Sequence, residues 1–453
     1  MYESLVAEYI DYELPYFVRR RDDLGHLPTP ERRNIIHSII GVRRCGKTFR
    51  LFQLMSDLMR DGFDRRKLFY FPFDDDRLGE PDEQTASKVL DAYYKLVPEA
   101  LDGCYLFFDE IQEMPRWEAF VRRVSEQDKV TLVITGSSSK LLSTDIHTKL
   151  RGRSLPLEMW PLSFAEYCDF NGIDATSIGG SFAPRTAGAL SVAFERYLDC
   201  GGFPAVQELD KVVRSRILQG YAEEIMTKDV LERFGNASYR VGRRFALSAL
   251  RSTGLKFSVN KQVKTMRSFG LTLSNESAYA LLDDFEDAHL AFKVADYHLS
   301  VKANPKSAYK IYSVDPGLSF AVAPAGRLDL GQRLETAVFV ELMRRNGANR
   351  DNVIARYSTP ACPEVDFVVG DCLLDKAYNL IQVAAESGMT GPGHAEGNAK
   401  KAKSELGNLE VAMGETGLQE STLITLDEEA DVRMGTGTVR IVPAWKWCLS
   451  TAD

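Results

Sequence analysis

Eight residues near the N-terminus have the types and spacing of a phosphate-binding loop. Gly41 is followed by four variable positions and then by Gly46, Lys47 and Thr48. Glycines let backbone N–H groups turn toward phosphate oxygens, and the lysine supplies a positive charge for the β- and γ-phosphates. The threonine hydroxyl is a magnesium ligand in such loops. The pattern therefore predicts a site for ATP or ADP with Mg²⁺.

The predicted nucleotide contacts cover the whole loop and the start of the following helix. They are Gly41, Val42, Arg43, Arg44, Cys45, Gly46, Lys47, Thr48 and Phe49. Cys45 is one of seven cysteines, and no two of them have C-x-x-C spacing. We therefore expect free thiols in a reducing cytoplasm and a packing role for Cys45.

Two adjacent acids follow a second apolar run. Asp109 and Glu110 come directly after Tyr105–Phe108, and Asp109 lies 62 positions after Lys47. Asp109 is predicted to hold Mg²⁺, directly or through water. Glu110 is in the position of a general base that polarises the attacking water. A solvated loop is the alternative for this pair, and the complete glycine loop favours the catalytic interpretation.

A third apolar run, Val130–Thr135, ends in small polar residues. Ser137 and Ser138 are the candidates for a hydroxyl near the γ-phosphate, with Ser138 taken as the catalytic one. The alternative is a polar turn without a chemical role.

The elements that must position these residues alternate between strands and helices. Strands are predicted at 34–40, 67–73, 105–108 and 130–135, and helices at 47–59, 85–96 and 117–125. Such alternation predicts a mainly parallel, three-layer α/β sheet. The pattern is mostly helical from 160 to 235, and helices followed by a short hairpin occupy 236–325. A second α/β pattern begins near 330, with helices at 332–345 and 398–413 and strands near 352–369, 378–384, 421–426 and 438–443.

Bulk properties exclude several classes of protein. The chain has 453 residues, 44% hydrophobic and 26% charged, with a net charge of −8. This length predicts several domains, and no apolar run is long enough for a membrane span. The N-terminal residues do not have the pattern of a secretory signal. We therefore expect a cytoplasmic protein that does not coat nucleic acid over its whole surface.

Several motifs together resemble a large prokaryotic family of AAA-type ATPases. They are GVRRCGKT, FFDEIQEMPRWE, ITGSSSKLL, WPLSFAEY, YLDCGGFP, KIYSVDPGL, GQRLETAVFVEL and PAWKW, and they extend over nearly the whole chain. The resemblance implies a P-loop core with an extra strand between the two strands that carry the lysine loop and the acid pair. It also implies a winged helix and a C-terminal domain similar to PD-(D/E)xK, restriction-endonuclease-like nucleases.

The resulting domain prediction has five parts. They are an N-terminal helix and connector (1–30), the AAA-type core (31–165), a helical lid (166–235), the winged helix-turn-helix (236–325) and the nuclease-like domain (330–453).

The same resemblance implies an arginine finger. Arg153, ahead of Arg151, is the candidate to reach the γ-phosphate of a neighbouring subunit, which would require a homo-oligomer such as a ring. A plain basic surface turn is the alternative.

Charge is distributed unevenly around the predicted winged helix. Residues 240–267 contain eight basic residues and no acid, and residues 240–310 contain twelve basic and six acidic residues. This excess predicts contact with a polyanion such as DNA. However, the predicted recognition helix 275–288 carries four acids near its end, Asp283, Asp284, Glu286 and Asp287. A structural or protein-docking role therefore stays open.

The nuclease pattern lacks some of its chemical groups. Glu335 and Asp366 match two acids of the pattern, whereas Gln382 and Ala384 stand where an acid and a lysine are needed. Because the carboxylates bind the metal and the lysine orients water, a degenerate domain used for binding is expected.

The sequence thus favours an ATPase that couples its nucleotide state to DNA binding or remodelling. The alternative is a slow ATPase switch or scaffold that docks a protein partner, and an ATP-regulated nuclease is disfavoured.

Overall fold

The computed structural model describes most of the chain. The described residues are 2–22, 25–31, 35–136, 150, 152–177, 181–231, 236–297, 309–323, 329–346, 353–371, 374, 376–385 and 396–450. They form two compact units. The first unit comprises Met1–Trp160 and Asp287–His289, and the second comprises Pro161–Glu286 and Leu290–Asp453.

The first unit is built on a five-stranded sheet in which every neighbouring pair is parallel. Its strands are β1 (Ile36–Gly41), β2 (Leu68–Pro72), β3 (Cys104–Asp109), β4 (Val130–Thr135) and β5 (Ser154–Met159), in the order β2-β3-β4-β1-β5. Strand β4 therefore lies between the strand that leads into the glycine loop and the strand that ends in the acid pair. The predicted extra strand is present.

Helices complete the first unit. They are α1 (Tyr2–Ile10), α2 (Lys47–Arg60), α3 (Thr85–Leu96) and α4 (Trp117–Gln127). Every residue of β1, β3 and β4 is buried, as expected for parallel strands covered on both faces. One apolar core includes Phe69, Phe71 and Phe108 of the sheet together with Val89 and Tyr93 of α3.

The edge strand β5 was not predicted from the sequence. It contains Pro156 and Glu158, which made Ser154–Met159 unlike a buried strand. A proline cannot donate to a neighbour, but an edge strand has a partner on one side only. Here Pro156 lies opposite Ser38 of β1.

The second unit begins with helices and a small sheet. The helices are α5 (Phe164–Phe170), α6 (Pro184–Cys200), α7 (Lys211–Ile225), α8 (Asn236–Leu250), α9 (Val259–Ser268), α10 (Asn275–Asp287) and α11 (Pro316–Val322). Strands β6 (Leu255–Phe257), β7 (Ala291–Val294) and β8 (Tyr309–Ser313) form an antiparallel sheet in the order β6-β8-β7.

A six-stranded mixed sheet occupies the C-terminal part of this unit. Its strands are β9 (Val353–Tyr357), β10 (Val365–Asp371), β11 (Lys376–Val383), β12 (Glu420–Thr425), β13 (Ala430–Arg433) and β14 (Thr438–Pro443), in the order β13-β14-β12-β11-β10-β9. The accompanying helices are α12 (Leu330–Asn346), α13 (Glu396–Thr416) and α14 (Ala444–Leu449). The single strand region expected near 352–369 is two antiparallel strands. Within the described part of the chain, no helix combines the length and apolar character needed to span a membrane.

Candidate functional site

The glycine loop joins the end of β1 to the start of α2. Gly41 and Gly46 have φ angles of 152° and 106°, in the region that favours glycine. A Cβ atom on Gly41 would lie 2.2 Å from the carbonyl oxygen of Met159. Both glycines of the motif are therefore required by backbone geometry, as the spacing predicted.

The Lys47 side chain lies inside the loop. Its Nζ donates hydrogen bonds to the carbonyl oxygens of Gly41, at 3.0 Å, and Val42, at 3.2 Å. The residue is 5% exposed. The loop thus encloses a positive charge next to backbone N–H groups at the start of a helix, which is an arrangement suited to phosphate.

Asp109 is a buried carboxylate surrounded by hydroxyl groups. Its Oδ1 accepts a hydrogen bond from the Thr135 hydroxyl, and its Oδ2 accepts one from Tyr70 at 3.2 Å. Burial raises the pKa of Asp109, and the side chains of Thr135 and Thr48 oppose that rise. The effect of Thr48 indicates that the glycine loop and the acid pair lie close together.

Glu110 follows in a left-handed backbone conformation, with φ of 48°. Its backbone N–H donates to Thr135 Oγ1 at 3.1 Å, and its carboxylate accepts a hydrogen bond from the Gln112 amide. A non-glycine residue with positive φ is uncommon and persists when its surroundings hold it. The Glu110 charge also acts on Asp74, whose pKa is raised first by burial and then by this neighbour.

Thr135 is a site residue that sequence reasoning missed. The candidates from the sequence, Ser137 and Ser138, lie outside the described residues, so their roles stay predictions. Thr135 closes β4 and contacts both Asp109 and Glu110. Its place at the carboxyl end of a strand was visible in the sequence. What was not visible is that the Thr135 side chain contacts the acids.

The back of the glycine loop is supported by the N-terminal segment. The Arg20 guanidinium donates to the carbonyl oxygens of Cys45 and Trp160, each at 2.8 Å. Cys45 is buried and its thiol is free, and burial raises its pKa, consistent with the expected packing role. The sequence had assigned the segment containing Arg20 only to a connector.

The other predicted loop residues differ in exposure. Val42 is buried, Arg43 is half-buried, and Arg44 and Phe49 are exposed. The Val42 side chain therefore packs inside the unit, whereas the Arg44 and Phe49 side chains face solvent.

The structure describes one of the two arginine-finger candidates, Arg153, but not Arg151. Arg153 forms an ion pair with Glu126 of α4 in the same chain. Its side chain is therefore already engaged within its own subunit, and its predicted role toward a neighbour stays a prediction.

Several bases of the segment 240–310 are engaged inside the second unit. Ion pairs join Arg243 to Glu223, Lys256 to Glu364, and Lys293 to both Asp283 and Glu286. The basic excess counted in the sequence is thus partly neutralised at short range. Exposed bases that follow one another along α9 are Lys261, Lys264 and Arg267.

The acids of the nuclease-like pattern do converge. Glu335 of α12 and Asp366 of β10 both accept hydrogen bonds from Lys310 of β8. The side-chain oxygen of Gln382 accepts one from the Asp366 backbone N–H at 3.2 Å. Ala384 is buried beside β11. The lysine that the pattern requires is absent at Ala384, but Lys310 contacts the same acids. The sequence did not predict this role for Lys310.

Known proteins resemble this chain at several levels. A family model described as an AAA domain matches residues 33–168, and one described as a domain of unknown function (DUF8612) matches residues 191–329. Uncharacterized protein MJ1544 of Methanocaldococcus jannaschii is 30% identical over 423 residues, 92% of this chain and 89% of its own length. An uncharacterized protein of Haemophilus influenzae is 28% identical over 72% of this chain and 79% of its own length.

Among solved structures, the Walker-type ATPase paby2304 of Pyrococcus abyssi has 15% identity and a TM-score of 0.40, over 63% of this chain and 90% of that one. The AAA match spans the glycine loop, the acid pair and all five strands of the parallel sheet. The chain therefore belongs to the same family as the M. jannaschii protein, and residues 33–168 match an AAA domain.

Proposed function

We propose that the chain hydrolyses ATP with Lys47, Thr48, Asp109 and Glu110 as the working residues. The observation that carries this proposal is the strand order, because β1, which leads into the glycine loop, and β3, which ends in the acid pair, flank β4 in one parallel sheet and therefore end at the same edge. Two sequence motifs that are 62 positions apart thereby form one site.

Magnesium fits the residues of this site. The Thr48 hydroxyl and the Asp109 carboxylate provide hard oxygen ligands on adjoining elements, which is the donor chemistry that Mg²⁺ prefers. When bound, the ion would neutralise charge on the β- and γ-phosphates. Lys47 would add a second positive charge from inside the loop.

Glu110 is proposed as the general base. Its carboxylate would take a proton from the attacking water, whose oxygen bonds to the γ-phosphorus while the bond to the β–γ bridging oxygen breaks. The products are ADP and inorganic phosphate. Thr135 and Gln112 support this role because they hold the backbone and the carboxylate of Glu110.

ATP turnover by the full chain tests the proposal. Lys47→Ala should abolish turnover because it removes the charge that the loop encloses. Lys88→Ala is the matched control, since it removes a half-buried lysine of α3 that is paired with Asp82 in the same unit. Unchanged turnover in Lys47→Ala would refute the assignment of this site.

For the second unit, we propose a winged helix that contacts DNA and couples this contact to ATP turnover. Helices α8, α9 and α10 with the three-stranded antiparallel sheet support a winged-helix arrangement. Asp283 and Glu286 are paired with Lys293, which reduces the repulsion that these acids would exert on a polyanion. The exposed Lys261, Lys264 and Arg267 provide charges for phosphate contacts.

The docking of a protein partner is the second candidate. It is favoured by the ion pairs of Arg243 and Lys256, which consume part of the basic excess within the unit. The rate of ATP turnover distinguishes DNA coupling from the docking of a protein partner. It is measured with and without duplex, single-stranded and branched DNA, across salt concentrations. Stimulation that falls with salt and is lost in the triple alanine variant of Lys261, Lys264 and Arg267 supports DNA coupling. No effect of any DNA would favour the switch that docks a protein.

A further inference from the structure

A buried lysine lies at the centre of three carboxylates in the second unit. Lys310 Nζ is 2.6 Å from Glu335 Oε1, 2.9 Å from Glu364 Oε1 and 2.8 Å from Asp366 Oδ1. An ammonium group has three N–H donors. Each donor has its own carboxylate partner, so the hydrogen-bonding capacity of Lys310 is used in full.

Neighbouring groups hold the carboxylates in this arrangement. The second oxygen of Asp366 accepts the Val383 backbone N–H at 3.0 Å. The Tyr312 hydroxyl donates to Glu335 Oε1 at 2.5 Å. The other Glu364 oxygen pairs with Lys256 at 2.8 Å. The acids are therefore oriented by β8, β11 and the small sheet, and not by Lys310 alone.

The charges of this centre balance when one acid is neutral. Burial raises the pKa of Glu335 to about 8, the charge of Asp366 adds to the rise, and Lys310 opposes it. Burial disfavours the charged form of Lys310, but Asp366, Glu335 and Glu364 outweigh burial and raise its pKa. The raised pKa of Glu335 favours its neutral form, in which the positive charges of Lys310 and Lys256 face the two carboxylates of Glu364 and Asp366.

These residues do not fit a divalent metal ion. A nuclease of the pattern seen in the sequence needs its acids free to bind the ion and a lysine near the position of Ala384 to orient water. Here the ammonium nitrogen takes up the point at which the carboxylate oxygens converge. Within the described parts of the chain, no set of three or more His, Cys, Asp or Glu side chains is arranged to hold a metal ion.

We propose that Lys310 is the resident cation of this centre. Its ammonium stands in the place of a divalent metal ion, closes the acidic site to metals, and ties β8 to α12 and β10. The three acids serve as the partners of Lys310, and Gln382 and Ala384 supply neither the acid nor the lysine of a nuclease. A latent divalent-cation site should therefore open when Lys310 loses its charge. This inference does not depend on the ATP site.

Manganese binding to the full chain, without nucleotide, tests the proposal. Lys310→Met keeps a linear side chain of similar shape up to Cε and removes the ammonium group, which leaves the carboxylates without their central partner. Its Tm should fall by about 10 °C, since breaking a buried ion pair is strongly destabilising. Added Mn²⁺ should raise this Tm, and electron paramagnetic resonance should detect one more bound Mn²⁺ ion per chain than in the wild type.

Two variants serve as controls. Lys256→Met removes an exposed lysine from the same cluster and leaves Lys310 in place, so its Tm should change by only about 2 °C, without a response to Mn²⁺. Lys310→Met combined with Glu335→Gln removes one ligand of the latent site and should lose the extra Mn²⁺.

Two results would overturn the proposal. One is a Lys310→Met protein that melts like the wild type and gains no Mn²⁺. The other is Mn²⁺ bound by the wild type and lost on Glu335→Gln, which would show that the site already accepts metal. This second measurement needs only the wild type and Glu335→Gln, so it decides the question even if Lys310→Met does not fold. Absence of such Mn²⁺ in the wild type supports the proposal.

Discussion

The Thr135 hydroxyl donates a hydrogen bond to the Asp109 carboxylate, and the two residues end neighbouring parallel strands. The same Thr135 oxygen accepts the backbone N–H of Glu110. One side chain thus holds both the proposed metal ligand and the residue that carries the proposed base. This relationship makes Thr135 a positioning residue whose loss should affect catalysis more than binding.

We expect Thr135→Val to lower kcat by about 10–100-fold, since partners that orient ligands typically contribute that much. The Kd for ATP should change by only a few fold because Lys47 and the loop are untouched. Steady-state turnover and nucleotide titration provide the two numbers. Thr131→Val on the same strand is the control, as its hydroxyl donates to the carbonyl oxygen of Pro28 and is remote from the acids. Equal losses in both variants would point to a general effect on β4.

Glu110→Gln should retain ATP binding and lower turnover by at least about 100-fold, because the amide cannot accept the proton of the attacking water. The expected signature is a protein that holds ATP and releases little phosphate, measured by single-turnover kinetics. Glu113→Gln changes an exposed acid three positions later and should leave turnover near that of the wild type. A Glu110→Gln protein with normal turnover would remove this residue from the mechanism.

Gly201→Ala should destabilise the second unit by roughly 2–4 kcal/mol. Gly201 has a φ of 71°, and a Cβ there would lie 2.0 Å from an oxygen of Asp315. Asp315 is buried and accepts hydrogen bonds from the backbone N–H groups of Gly202, at 2.6 Å, and Leu318, at 2.8 Å. The added methyl group must displace a side chain that organises two chain segments. Chemical denaturation measures the loss.

Gly220→Ala is the matched control for that prediction. Gly220 lies within α7 and has open space around the position of a Cβ. Alanine favours helix over glycine by about 1 kcal/mol, so this variant should be as stable as the wild type or more stable. If both glycine variants lose stability equally, the contact with Asp315 is not the cause.

His37 should make the first unit less stable as the pH falls. It is buried in β1 and both of its ring nitrogens lack hydrogen-bond partners among the described residues. Burial lowers its pKa. Below pH of about 6.5 the unfolded chain binds a proton that the folded chain excludes, so stability is lost as the pH falls through that value.

The comparison of wild type with His37→Leu isolates this effect. The difference in unfolding free energy, wild type minus variant, should be constant above pH 7 and should decrease between about pH 6.5 and 5. Denaturation at several pH values measures it. A difference that does not depend on pH would show that His37 is protonated equally in both states.

The sequence determined much of the first unit because the relevant signals are local. Strands β1, β3 and β4 are short apolar runs, and the helices α2 and α3 have clear amphipathic spacing. The glycine loop and the acid pair lie at the ends of such runs, so their meeting at one edge of a parallel sheet was predictable. Boundaries agreed to within a few residues, and Thr85–Leu96 agreed at both ends.

The edge strand β5 and the site residue Thr135 needed the tertiary structure. A strand with a proline resembles a turn until its place at the edge of the sheet is known. Thr135 and Thr131 look alike in the sequence, since both are threonines of the same apolar strand: Thr131 lies inside it and Thr135 ends it. The resemblance implied that β4 lies between β1 and β3, but only the tertiary structure shows that the Thr135 hydroxyl contacts the acids.

The centre around Lys310 shows the same limit most clearly. The sequence revealed that Gln382 and Ala384 lack the groups of a nuclease, because each residue type can be read position by position. It did not reveal the lysine that replaces them, since Lys310 lies 25 positions from Glu335 and 56 from Asp366. Contacts over such separations depend on how a sheet and a helix pack, and no local periodicity encodes them. The tertiary structure alone decided that three acids surround one buried ammonium.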